Sequence, residues 1–135
     1  MNSNNSASVV QAFFEAFGQG RVDDLVALFG PEAELHAVRS GRPEADEPYG
    51  TYSGPSGVRA FLAALGATFD TKEFAIDSVV GEGEVAFASG RFVHEIKKTR
   101  RRFASEWALR CVVRDGKILE YRFYEDSQAF VRAAS

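Results

Sequence analysis

The chain has one cysteine, Cys111, and one tryptophan, Trp107, among 135 residues. A single thiol excludes an internal disulfide. With no second thiol or histidine beside it in the pattern, Cys111 reads as a small buried hydrophobe rather than a nucleophile. No apolar run approaches the ~20 residues that cross a membrane, so no membrane partner is expected. The opening MNSNNSAS lacks a basic segment followed by an apolar one, so no secretory signal is expected and a cytoplasmic protein is the default. Positive charge is not in excess: 16 Lys and Arg against 19 Asp and Glu give a net charge of −3. That removes any global electrostatic case for nucleic acid. The two histidines, His36 and His94, lie far apart without paired carboxylate spacing, and make no metal-site argument.

Phenylalanine is abundant, with 12 residues. They supply large buried aromatic area and enough apolar surface to line a cavity. The length suits one domain, taken as residues 8–135 after a small, polar, disordered tail over residues 1–7. Ser8-Val9-Val10-Gln11 matches a capping box. Val10, Phe13, Phe14 and Phe17 follow at helical spacing, and Gly18 and Gly20 stop this first helix. Val22, Leu25, Val26 and Phe29 predict a second, short helix ended by Gly30-Pro31. A short strand is expected over 33–38 and a polar lid loop over 39–53. A third helix opens at Gly54-Pro55, with Val58, Phe61, Leu62, Leu65 and Phe69 as its buried stripe. Strands are expected over 74–80, 85–96, 102–113 and 118–124. Asp126 or Ser127 caps a last short helix. Helices gathered early and strands late argue an α+β fold, with helices on one face of a mainly antiparallel sheet.

The hairpin over 103–124 turns at Arg114-Asp115-Gly116-Lys117, a strong turn signal because Gly accepts positive φ. A two-residue loop pairs Arg114 with Lys117 and puts Glu106, Arg110, Tyr121 and Phe123 on one face. A three-residue loop with a Gly bulge pairs Val113 with Lys117. It gathers Trp107, Leu109, Cys111, Leu119, Tyr121 and Phe123 on one face, with Arg110 and Glu120 on the other. The second is favoured because it separates apolar from polar residues.

The segment VVQAFFEAFGQGRVDDLVALF, the middle stretch from Tyr52 to Leu62, and the run from Val113 to Ile118 continuing into Tyr121–Asp126 together resemble the nuclear transport factor 2-like superfamily. Within it they resemble the SnoaL-like, ketosteroid-isomerase-related branch. The resemblance implies a cone: a curved, mainly antiparallel sheet wrapped around three helices, with a short C-terminal helix and a deep apolar pocket. It also implies a homodimer through the outer face of the sheet. Fold alone does not give function, since this one hosts isomerases, epoxide hydrolases, cyclases and silent binders. Familiar catalytic positions are apolar here. The isomerase tyrosine falls near Phe13, its base near Ala37 and its second acid near Ala108 or Leu109. The epoxide hydrolase arginine falls on Arg91 and its carboxylates near Val93 and Phe123. The cyclase acid again falls near Phe123.

The same alignment and period-2 alternation put Ser89, Arg91 and Val93 on the pocket face. There Arg91 needs a partner: a ligand oxyanion, or Glu95, Glu125 or a carboxylate of the 44–47 loop. His94 then faces outward. His36 also faces outward if Leu35 and Ala37 face in, or else joins Arg39 and Asp46 in an acid/base pair at the pocket mouth. Tyr49 and Tyr52 border the pocket from the loop. The basic run Lys97–Arg102 is expected at a hairpin tip, where it is solvated or meets an anionic surface.

The expected site therefore comprises Arg91, His36 and Asp46 as the groups that carry chemistry. The expected lining comprises Phe13, Phe17, Leu35, Tyr49, Tyr52, Leu62, Leu65, Ser89, Val93, Trp107, Leu109, Tyr121 and Phe123. The expected ligand is a small hydrophobic molecule and the expected chemistry is cofactor-independent isomerisation, cyclisation or hydrolysis. A non-catalytic binder or dimeric interaction module is the alternative.

Overall fold

The computed structural model describes residues 5–135. Helices α1 (Ser6–Gly18) and α2 (Val22–Ala27) lead into strand β1 (Phe29–Ala37). After a loop come β2 (Gly50–Ser53) and helix α3 (Gly54–Thr68). Four long strands follow, β3 (Phe69–Glu82), β4 (Val85–Ile96), β5 (Arg102–Arg114) and β6 (Lys117–Glu125), and then helix α4 (Ser127–Ala134). The strands form one curved, open sheet in the order β2-β1-β6-β5-β4-β3. Only β1 and β6 run parallel; the other neighbours are antiparallel. This is the α+β class expected from the element order, with the curved sheet around helices that the nuclear transport factor 2-like resemblance implies.

Helix α1 begins before the expected Ser8 cap. The side chain of Asn5 accepts from the Ser8 backbone N–H at 2.8 Å, so Ser6 and Ala7 are helical. The rest of the expected tail, residues 1–4, lies outside the described residues. Phe29, Gly30 and Pro31 do not end α2; they open β1. The Ile118 N–H donates to the Leu28 carbonyl at 2.7 Å and draws this stretch onto β6. Pro31 is accommodated where the β1–β6 register is irregular, so no ladder donor is lost. The end of the expected lid loop forms β2, an edge strand on β1. Phe69 is the first residue of β3 rather than the last of α3.

The β5–β6 hairpin turns in two residues. Asp115 and Gly116 both have positive φ, +52° and +76°, and Arg114 pairs with Lys117. This is the tighter turn, not the favoured one. A bulge at Leu119 then shifts the ladder so that Cys111 pairs with Tyr121 and Leu109 with Phe123. One bulge residue reverses the parity. The favoured grouping of Trp107, Leu109 and Cys111 with Tyr121 and Phe123 is therefore present, whereas Leu119 leaves that face to Ile118, which is fully buried. On the other face Arg110 and Arg122 both bind Glu120, at 2.7 and 2.9 Å.

The concave face carries the core. Trp107 packs on Phe14, Phe74 and Phe123 with ring centroids 5.2–5.4 Å away. Its ring lies over Gly90 of β4, where a Cβ would sit 2.6 Å from the indole and 2.0 Å from the Ala75 carbonyl. Cys111 is in this layer, its thiol pushed up to about 12 by burial, as suits a packing residue.

Candidate functional site

A cavity of about 280 Å³ lies between the concave sheet and helices α1, α2 and α3. From α1 come Phe13, Phe14 and Phe17, which recur at helical spacing on one face. From α3 come Phe61, Leu62 and Leu65. The sheet supplies Phe69, Thr71 and Phe74 of β3, Phe92 and His94 of β4, and Tyr121, Phe123 and Glu125 of β6. Of the lining residues, Gly20, Val22, Gly66 and Thr71 are exposed, which puts the mouth between the α1–α2 turn and the start of β3. Pro48 and Tyr49 close the wall beside Glu125. The chain leaves β1 through Val38, also a lining residue, whose φ of +67° is unusual for a β-branched side chain. The Val38 N–H holds the Phe123 carbonyl at 2.8 Å, which ties this turn to β6.

Two polar groups break the aromatic wall. The first is Glu125, at the end of the inward-facing series Tyr121, Phe123, Glu125. The Tyr49 hydroxyl donates to its Oε2 at 2.5 Å. Burial raises the Glu125 carboxyl to about 7; the Tyr49 hydrogen bond works against the shift and the charge of Asp126 adds to it. Burial and the neighbouring Glu125 charge push the Tyr49 phenol far above its ordinary range, so the phenol keeps its proton. The second group is His94. It stacks between Phe69 and Phe92, centroids 4.3 and 4.1 Å away, with Thr71 Oγ1 2.9 Å from Nδ1. Burial lowers its pKa to about 4, so it is neutral at pH 7.

Arg91 is not in this cavity. It lies on the convex face, 57% exposed, and binds Asp77 at 2.8 Å. The inward set on β4 is Ala86, Ala88, Gly90, Phe92, His94 and Ile96, one residue out of phase with the expected set. Ser89 and Val93 therefore face outward with Arg91, and His94 faces in. The physical reason is that the even set buries no permanent charge and provides the glycine that Trp107 needs. His36 is on the opposite side of β1 from Leu35 and Ala37, covered by Thr51 and Ser40, whose hydroxyls are 3.0 and 3.3 Å from Nδ1. Asp46 is exposed at the loop tip and binds Lys98 at 3.1 Å. Arg39 pairs with Glu47 at 2.8 Å. The expected grouping of His36, Arg39 and Asp46 is thus not formed.

Among the expected lining residues, Phe13, Phe17, Tyr49, Leu62, Leu65, Tyr121 and Phe123 line the cavity. Leu35, Trp107 and Leu109 are buried in the core behind it. Tyr52 packs on Phe61 and donates to the Pro48 carbonyl at 2.8 Å. Glu106 and Arg110 are on the convex face, as the favoured hairpin grouping implies. Sequence reasoning named Glu125 only as a partner for Arg91 and turned His94 outward, whereas both line the cavity. Continuing the alternation from Tyr121 and Phe123 by one more step points to Glu125, and reading β4 on its charge-free set points to His94.

A family model described as the SnoaL-like domain matches residues 10–121. Among curated proteins none matches the chain. Solved structures share the fold. A nuclear transport factor 2-like protein from Burkholderia thailandensis superposes with a TM-score of 0.85 at 20% identity, covering 100% of this chain and 99% of that one. Another, from Burkholderia xenovorans, gives 0.83 at 25% identity, covering 96% and 95%. A protein from Mesorhizobium loti, provisionally named an SnoaL-like polyketide cyclase, gives 0.70 at 19% identity, covering 87% and 97%.

Proposed function

Because this chain belongs to the SnoaL-like domain family, we propose that its aromatic cavity takes a small, largely apolar molecule and that Glu125 moves a proton on it. The observation that carries this reading is a half-buried carboxyl on the cavity wall, held by Tyr49 and raised to about 7. A group titrating near the working pH is present as both acid and base, which suits general acid/base transfer. Burial of Glu125 lets it protonate a leaving or carbonyl oxygen, or take a proton from an acidified carbon. Tyr49 supplies one hydrogen bond to the carboxylate and fixes which oxygen faces the ligand. His94, neutral and bonded to Thr71, offers a nitrogen lone pair or an N–H near the mouth, depending on its tautomer. The substrate is small and largely apolar, with few polar atoms. No cofactor is invoked.

A thermal-shift screen of such compounds finds ligands, because binding only the native state raises its melting temperature. For a compound that is turned over, kcat/KM is expected to change with a midpoint near pH 7, and Glu125→Gln is expected to lower it by about 10²–10⁴-fold. Turnover unchanged by that substitution overturns the role of Glu125.

A second reading, a homodimer through the convex face, is favoured by Val80 and Phe87. They pair across β3 and β4 and are 60% and 50% exposed. Sedimentation at micromolar concentration is expected to show a dimer that Phe87→Glu dissociates. A monomeric wild-type chain removes this reading and leaves the cavity untouched.

A further inference from the structure

We propose that the molecule bound beside Glu125 carries a basic nitrogen, and that the cavity recognises it as a protonated amine. This rests on the reading of the cavity as a ligand site and names the ligand's class.

The cavity is lined by eight phenylalanines and two tyrosines, and no lysine or arginine is in its lining. Aromatic rings present negative π faces, which attract a cation that has shed its water. Of the cations in the loop that carries Tyr49, Arg39 is engaged by Glu47 and Glu44, and Arg42 is exposed and outside the cavity lining; Lys98 of the β4–β5 turn pairs with Asp46. Arg91, the arginine nearest in sequence to the cavity residues of β4, is on the other face with Asp77. His94 is neutral when the cavity is at pH 7 and so adds no positive charge.

Against this background Glu125 is an acid without a countercharge among the described residues. Its Oε2 accepts from Tyr49, whereas Oε1 has no protein hydrogen bond among the described residues. The groups that act on it are Tyr49 from the loop, Asp126 at the start of α4, and Tyr121 two steps back on the same strand; none is a cation. Trp107 opposite it on β5 is not ionisable. Glu125 is half-buried, and a carboxylate set in an apolar wall is stabilised by a cationic partner. Among the described residues no cation pairs with Glu125, so a ligand that brings one adds an ion pair that these residues do not make. An ammonium N–H donating to Oε1, with its alkyl groups against Phe123 and the facing rings, satisfies the charge, the open lone pair and the apolar wall together. An anionic ligand would meet a carboxylate and ring faces with no cation to receive it. A purely neutral hydrocarbon would fill the cavity and leave Oε1 unpaired.

The test uses N,N-dimethylbenzylamine and its uncharged isostere isobutylbenzene, titrated calorimetrically into the full chain. At pH 8 the amine is expected to bind at least tenfold more tightly than the isostere. That advantage shrinks as the pH falls to 5 and Glu125 takes its proton. Near pH 6.5 amine binding is expected to release protons, seen as a heat that changes between buffers of different ionisation enthalpy. Glu125→Gln is expected to weaken the amine at least tenfold at pH 8 and to leave isobutylbenzene unchanged, which also shows that the variant's cavity is intact. Equal binding of the two probes, or an amine affinity indifferent to Glu125→Gln, overturns the proposal while leaving the cavity as a ligand site. Failure of both probes to bind overturns the cavity reading and this inference together.

Discussion

Strand β4 carries polar groups on both faces, and the two faces treat them oppositely. On the convex side Arg91 meets Asp77, and across the sheet Arg110 and Arg122 share Glu120. These pairs sit beside water, where each is worth roughly 0–1 kcal/mol. On the concave side Glu125 and His94 have no countercharge among the described residues, and burial moves their pKa values instead, up to about 7 and down to about 4. The lesson concerns where chemistry can reside. A satisfied surface ion pair has little left to offer a ligand, whereas a buried group short of a partner holds free energy that binding can release. Arg91 attracted notice in the sequence because it is charged amid apolar residues, yet its charge is already paired. Glu125 drew notice only as a partner for Arg91, because it opens the polar run Glu125-Asp126-Ser127-Gln128.

The comparison breaks first at the seam between the faces. Gly90→Ala is expected to destabilise the protein by about 3 kcal/mol or more, because a Cβ there collides with backbone and indole alike. Urea unfolding measures it; a loss below about 1 kcal/mol would mean that β4 does not sit on Trp107 as described.

Next come the two buried titrating groups, with opposite signs. Glu125 has its folded pKa raised, so its protonated form stabilises the fold. That contribution is complete below the unfolded value of 4.5 and is lost as pH rises to about 7. Glu125→Gln is therefore expected to gain up to about 3 kcal/mol over the parent at pH 8 and almost nothing at pH 4. His94 has its folded pKa lowered, so its neutral form stabilises the fold. That contribution is complete above 6.5 and is lost as pH falls through about 4. A replacement that cannot ionise, His94→Gln, is expected to flatten the fall in stability between pH 6.5 and 4. Melting curves across this range read both, and parallel pH profiles for parent and variants would contradict the burial of these groups.

The smallest effect belongs to the convex face. Arg91→Ala is expected to cost 0–1 kcal/mol and to leave ligand binding in the cavity unchanged. A ligand whose affinity depends on Arg91 would put that side chain back in the pocket and reverse the phase of β4.

Much of this was legible from residue order. The spacing of Val10, Phe13, Phe14 and Phe17 marks one buried helical stripe, and Asp115-Gly116 marks a turn, because φ and side-chain direction follow from local chemistry. Seven of the expected lining residues do line the cavity, most of them from helices, where a stripe of period 3.6 has a single buried face. The errors fall on strands and their ends. A strand of period 2 offers two faces, and on β4 both sets contain apolar residues: Val85, Phe87 and Val93 on one, Ala88, Phe92 and Ile96 on the other. Local sequence leaves that choice open. It was made by contacts between distant segments: Trp107 lying on Gly90, Asp77 receiving Arg91, and a bulge at Leu119 restoring the parity that a two-residue turn had reversed. Residue order alone determined the buried stripes of the longer helices, the position of the β5–β6 turn and the α+β class, since each follows from neighbours along the chain. The tertiary structure alone decided which face of each strand became the inside, and so placed His94 and Glu125 in the cavity and Arg91 in water, because burial depends on what packs from elsewhere in the chain.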